Sequence, residues 1–149
     1  MIFDSLSLPM NFVEDYGYFG LFLFCLMAAT IIPVSSEGAV AGALLLEMKS
    51  IPVLIWASLG NILGTVINYF IGLLVGQKWL DKKINKSTQK AYEIAHKYGW
   101  WSLLLSWLPI IGDPITIVAG VLRWNFLLFS IIVFTLRIAR YYALIYFFV

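Results

Sequence analysis

The chain has 149 residues and a net charge of +2, with 62% hydrophobic, 17% aromatic and 12% charged residues; an ordinary soluble domain is roughly 45–50% apolar. So short a chain has too little interior to hide that much apolar surface, so lipid is expected to be the solvent for most of it. A lone cysteine, Cys25, excludes a disulfide framework and a cysteine-based metal site, and no cofactor or metal is expected.

The first residues carry Asp4, Glu14 and Asp15 with no lysine or arginine, unlike the basic start of a cleavable signal peptide. Residues 16–46 form an apolar block interrupted at Pro33 and Glu37, and Glu37 is the only charge in it. After Glu37 just nine residues precede Glu47, which at about 1.5 Å per residue is about half the thickness of a membrane. A break at proline followed by a half-length return predicts a re-entrant helical hairpin. Such backbone is tolerated at membrane depth where protein or a water-filled cavity surrounds it. Residues 17–34 are also long enough to span unaided.

Residues 51–76 run for 26 positions without a charge and predict a full span. Within them Gly60, Gly64, Asn68, Gly72 and Gly76 recur at every fourth residue, and Gly38 and Gly42 repeat the spacing on the return arm of the hairpin. A stripe of small residues predicts close helix packing in lipid, within the chain or in a homo-oligomer, and Asn68 is placed to bond across helices.

Residues 77–97 hold six lysines, at 78, 82, 83, 86, 90 and 97. The positive-inside rule makes this a cytoplasmic connection, with no nucleic-acid role. Ile84, Ala91, Ile94, Ala95 and Tyr98 can share one face opposite the lysines, which predicts an amphipathic helix among anionic headgroups; the plain alternative is a solvated loop. His96 is expected at the surface. Residues 98–122 are apolar again, broken at Pro109, Gly112, Asp113 and Pro114, and eight residues separate Pro114 from Arg123. A second hairpin is expected there. The last block, residues 124–149, is a span with two charges, Arg137 and Arg140.

The chain repeats itself. Tyr16-Gly17, an apolar arm, PVSSE and Ala41-Gly42 are answered by Tyr98-Gly99, an apolar arm, PIIGD and Ala119-Gly120. The predicted fold is therefore an all-α integral membrane protein forming one domain over residues 1–149. Repeat 1 covers residues 16–76, the linker 77–97 and repeat 2 98–149, and each repeat is a re-entrant hairpin plus a transmembrane helix. A half that enters and leaves on opposite sides forces the second half to run inverted, a plan common among secondary transporters.

Glu37, Asp113, Arg137 and Arg140 each cost about 2.5–3.5 kcal/mol at the centre of a spanning helix, so they must pair or face a cavity. Guanidinium matches phosphate in a planar, bidentate way, which makes Arg137 and Arg140 candidates for an anionic headgroup. Ser35, Ser36 and the helix start after Glu37 would add donors. Glu37 and Asp113 are candidates for taking up and releasing protons. The expected partners are thus phosphate-bearing lipids and protons. The alternative is a non-transporting scaffold whose buried charges only lock the hairpins. Enzyme chemistry fits poorly: the first block offers Ser35 and Ser36 no lysine or histidine base, and the Gly112-Asp113 pair has no second membrane aspartate.

PVSSEGAVAGALL, LGNILGTVINYFIG, KYGWWSLLLSWLPIIGDPITIVAG and LRIARYY, in that order, resemble the DedA (VTT-domain, SNARE-associated) superfamily, and its short YqaA-type branch most of all. The likeness covers roughly residues 16–146, and SWLPIIGDPITIVAG is its most specific part. It implies a bacterial inner-membrane protein with two opposed re-entrant hairpins that moves lipids between leaflets, as flippase or scramblase. Polyprenyl phosphates and phospholipids are the implied substrates, with dependence on the proton-motive force. The hairpin acids of the family match Glu37 and Asp113, and its late arginines match Arg137 and Arg140. The chain departs from longer members, which place an arginine after the second hairpin's proline, where Gly112-Asp113 stands here.

Overall fold

The computed structural model describes residues 2–30, 36–76, 78, 86–108 and 111–148. Among these residues all regular structure is helical: α1 (Ile2–Thr30), α2 (Ser36–Leu45), α3 (Ser50–Val75), α4 (Lys86–Tyr98), a 3-10 helix (Gly99–Trp107), α5 (Gly112–Val121) and α6 (Phe126–Phe148).

The two blocks read as spans form α3 and α6, of 26 and 23 residues, and both are long and apolar enough to cross a membrane. Only 39% and 22% of their most apolar stretches are buried. Large apolar side chains such as Ile51, Leu74, Leu127 and Phe147 point outward instead. A core helix of a water-soluble protein would hide that surface.

The other apolar helices are shorter: Tyr16–Thr30, Ser36–Leu45 and Gly112–Val121. In α1 the chain kinks at Gly17, where φ 63 and ψ −140 form a backbone conformation that side-chain-bearing residues avoid. The apolar arm therefore begins where the sequence places it, and the acidic residues before it continue as helix. Pro33 and Ser35, Pro109, and the linker's Ile84 lie outside the described residues. The first arm of the second block is a nine-residue 3-10 helix, which the apolar pattern did not announce. It rises about 18 Å where nine α-helical residues would rise about 13.5 Å.

The chain divides into two compact units, Met1–Gly64 with Arg137–Val149, and Thr65–Leu136. The core of the first gathers Leu21 and Cys25 of α1, Ala39 and Ala43 of α2, Val53 and Ala57 of α3, and Tyr141 of α6. The core of the second gathers Tyr69 of α3, Ala91 and Ala95 of α4, Leu103 of the 3-10 helix, Ile115 and Ala119 of α5, and Phe129 and Val133 of α6. The inward face of α4 is thus Thr88, Ala91 and Ala95, whereas Tyr98 at its end is exposed. The α4 positions expected to meet lipid are covered by protein instead, with Lys86, Lys90 and Lys97 outward.

The two ten-residue helices, α2 and α5, end in the same way. Amides of Leu46, Glu47 and Met48 donate to the carbonyls of Gly42, Leu44 and Ala43, and those of Leu122, Arg123 and Trp124 donate to Val118, Gly120 and Ala119. Each turn places a charged residue in the left-handed region, Glu47 at φ 60 and Arg123 at φ 55, and satisfies carbonyls that a helix end leaves open. Glu47 and Arg123 stand as far apart in sequence as Pro33 and Pro109. At that same separation Ala39 and Ile115, Ala43 and Ala119, Val53 and Phe129, and Ala57 and Val133 are all fully buried.

Candidate functional site

Ser36 and Glu37 open α2, and Glu37 occupies its first turn, where the helix dipole favours a negative charge. Arg137 and Arg140 stand near the middle of α6, about 17 and 21 Å along a helix of about 35 Å. Spaced i and i+3, they share a face. The fold brings this face to α2 within the first unit. Arg140 Nη2 lies 3.1 Å from Glu37 Oε1 and donates to Ser36 Oγ at 3.3 Å. Tyr141 OH donates to the same Ser36 Oγ at 2.7 Å.

The two arginines sit in different surroundings. Arg137 is 1% exposed, and its Nη1 donates to Asn61 Oδ1 of α3 at 3.0 Å. The side chain of Arg140 is 11% exposed and that of Glu37 24%, so their ion pair is shielded from bulk solvent without being sealed. In such surroundings a charge is stabilised chiefly by its partners. Chemically the site offers a guanidinium, a hydroxyl and the amides of a helix start, arranged around a carboxylate. That set of donors suits an anion with several oxygens.

Asp113 belongs to the second unit. It is half-buried in the first turn of α5, and its backbone carbonyl accepts from Thr116 Oγ1 at 2.6 Å. Asn68 Nδ2 donates to that same Thr116 Oγ1 at 3.2 Å, the cross-helix bond its place in the stripe called for. Ser35 lies outside the described residues.

The glycines divide by environment. A Cβ on Gly60 would overlap the Phe22 carbonyl oxygen, and one on Gly64 would come within 2.5 Å of the Ala29 Cβ. At Gly72 it would overlap the Ile117 carbonyl oxygen, and at Gly120 the Tyr69 carbonyl oxygen. Gly42 is buried in α2. Gly38 and Gly76 have no atom within 4 Å of a Cβ position, and Gly76, at φ +65, closes the end of α3.

Asn61 and Tyr141 escaped the sequence reading. Asn61 follows Gly60 directly and was hidden by the glycine period, and Tyr141 follows Arg140 in a block full of aromatics. Among the described residues, no group of three or more His, Cys, Asp or Glu side chains could hold a metal ion.

Comparison with known proteins adds the following. The VTT domain family matches residues 32–149. An uncharacterized protein of Haemophilus influenzae is 33% identical over 136 residues, covering 85% of this chain and 83% of its own. Inner membrane protein YqaA of Escherichia coli is 34% identical over 112 residues, 74% of this chain and 75% of its own. Undecaprenyl phosphate transporter A of Staphylococcus aureus is 28% identical over 138 residues, 82% of this chain and 68% of its own. No solved structure matches the chain.

Proposed function

This chain belongs to the VTT-domain (DedA) superfamily, and from that premise we propose that it moves a phosphate-bearing lipid between the leaflets of the bacterial inner membrane. The observation that carries the proposal is the meeting of Arg140, on a helix long and apolar enough to span, with Ser36 and Glu37 of α2: two donors suited to phosphate, held beside a carboxylate. A relative named as an undecaprenyl phosphate transporter supports a lipid cargo. A relative named as an inner membrane protein supports the location.

Arg140 receives the phosphate, with Arg137 behind it and Ser35 and Ser36 as further donors. In the present arrangement Glu37 holds Arg140. A phosphate that takes Arg140 displaces the carboxylate, and Glu37 relieves its lost pairing by taking up a proton. Asp113 performs the corresponding proton step in the second hairpin. Each hairpin enters and leaves on one side, the two copies run inverted, and the lysine-rich linker faces the cytoplasm. The repeated turn at Glu47 and Arg123 supports the internal repeat on which this plan rests.

A second reading keeps Glu37 and Arg140 as a lock that docks α6 on α2 in a protein that carries nothing, and it is favoured by the closed 3.1 Å pair. Purified protein in liposomes containing labelled polyprenyl phosphate or phospholipid, with and without a pH gradient, separates the two. Lipid movement that responds to the gradient and disappears in Arg140→Ala is the expected result. Movement indifferent to the gradient makes the protein a scramblase. A folded protein that moves neither lipid is the scaffold.

A further inference from the structure

Ser36 Oγ is shared by two donors. Tyr141 OH reaches it at 2.7 Å and Arg140 Nη2 at 3.3 Å, and both Ser36 and Tyr141 are buried, at 5% and 0% exposure. A hydroxyl oxygen has two lone pairs and one proton. With both lone pairs engaged, the Ser36 proton is held in the role of donor, beside the guanidinium. Without Tyr141 the hydroxyl could turn and offer a lone pair, and a lone pair repels an anion.

The second copy serves as an internal control on whether this bond exists merely to build the hairpin. At the separation shared by Pro33 and Pro109 and by Glu47 and Arg123, Ser36 corresponds to Gly112, Arg140 to Gly64 and Tyr141 to Thr65. The helix at Gly112–Val121 has the length of the helix at Ser36–Leu45 and ends in the same turn. That copy therefore forms its return helix with no serine hydroxyl at the position of Ser36. The bond between Ser36 of the first copy and Tyr141 of the second has no side-chain counterpart at Gly112, and it lies beside the arginine.

We propose that Tyr141 is a positioning residue of the anion site: it fixes the Ser36 hydroxyl as a donor, so that a phosphate held by Arg140 receives a further, neutral hydrogen bond. The inference rests on the phosphate-binding reading above. Tyr141 does not touch the phosphate itself: its hydroxyl acts on the site through Ser36, and its ring, which Tyr141→Phe keeps, stays beside Arg140.

The test is titration of geranylgeranyl phosphate into the detergent-solubilised full chain, with the unfolding temperature of each lipid-free variant measured alongside. Tyr141→Phe and Ser36→Ala are each expected to weaken binding roughly fivefold, the worth of one hydrogen bond. The double variant should bind no worse than Ser36→Ala alone, and Ser36→Thr, which keeps the hydroxyl, should retain affinity. A residue that merely stiffened the fold would lower the unfolding temperature and add its effect to that of Ser36→Ala. Wild-type affinity in Tyr141→Phe, or multiplied losses in the double variant, overturns the inference and leaves the phosphate site standing. Should Tyr141→Phe not fold, full affinity in Ser36→Ala overturns it equally. A folded wild type that does not bind the probe removes the phosphate reading, and this inference with it.

Discussion

Arg140 owes its place to three groups from two helices: the Glu37 carboxylate, the Ser36 hydroxyl and the ring of Tyr141, whose centroid lies 5.3 Å from the guanidinium carbon. A partly shielded ion pair of this kind costs more to break than to remove. Losing one partner strands the other charge, whereas losing both leaves neutral groups. Arg140→Gln is therefore expected to lower the stability of the purified protein by about 2 kcal/mol. Glu37→Gln together with Arg140→Gln should recover part of that loss, a coupling that thermal unfolding of both singles and the double will measure. Additive losses would mean that the pair contributes nothing as a pair. Arg137 takes a neutral amide oxygen of Asn61 at 3.0 Å, so Asn61→Leu, which puts an apolar side chain against the guanidinium, should destabilise by about 1–3 kcal/mol. Full stability in Asn61→Leu would show that the bond carries no weight.

Among the elements, α3 shows how one period can serve several purposes. Its glycines at 60, 64 and 72 stand where neighbouring backbone or an alanine leaves no room for a Cβ, and Asn68 between them bonds Thr116. In lipid, helices associate through such close approaches and not through hydrophobic expulsion. Gly72→Ala and Gly120→Ala each press a methyl against main-chain atoms that cannot swing aside, with Val121 N at 2.9 Å from the first and Leu73 N at 3.0 Å from the second. Each is expected to cost about 1–3 kcal/mol. Gly38→Ala meets open space and should be neutral or stabilising by up to about 1 kcal/mol, since alanine is the better helix former. Equal unfolding temperatures across the three variants would refute this account of the α3–α5 approach.

For the whole molecule, the charge distribution makes a topological prediction. Lys86, Lys90 and Lys97 face outward on α4, and positive residues flanking spans stay on the cytoplasmic side. A cysteine at Lys90 should react with a membrane-impermeant maleimide in inverted vesicles and not in intact cells. Cys25 is buried and adds little background. Labelling from outside would reverse the proposed orientation of both hairpins.

Several features were legible before any fold was known, because they depend on local chemistry and spacing: the two helices long and apolar enough to span, the shorter apolar helices, and the acids and arginines set among apolar residues. Hydropathy over a window of some twenty residues decides what lipid will accept. Other features were not legible in that way. Positions four apart on one helix look alike in sequence, yet Gly72 meets the Ile117 backbone and Gly76 meets nothing. Asn61 reaches Arg137, and Tyr141 reaches Ser36, across 76 and 105 positions of chain. Whether an apolar arm coils as an α-helix or a 3-10 helix, and which face of α4 turns inward, likewise depends on neighbours distant in sequence. A residue's own chemistry settles what it can bond to. Only the packed chain settles which partner comes within 3 Å of it, because that distance is set by elements far along the sequence.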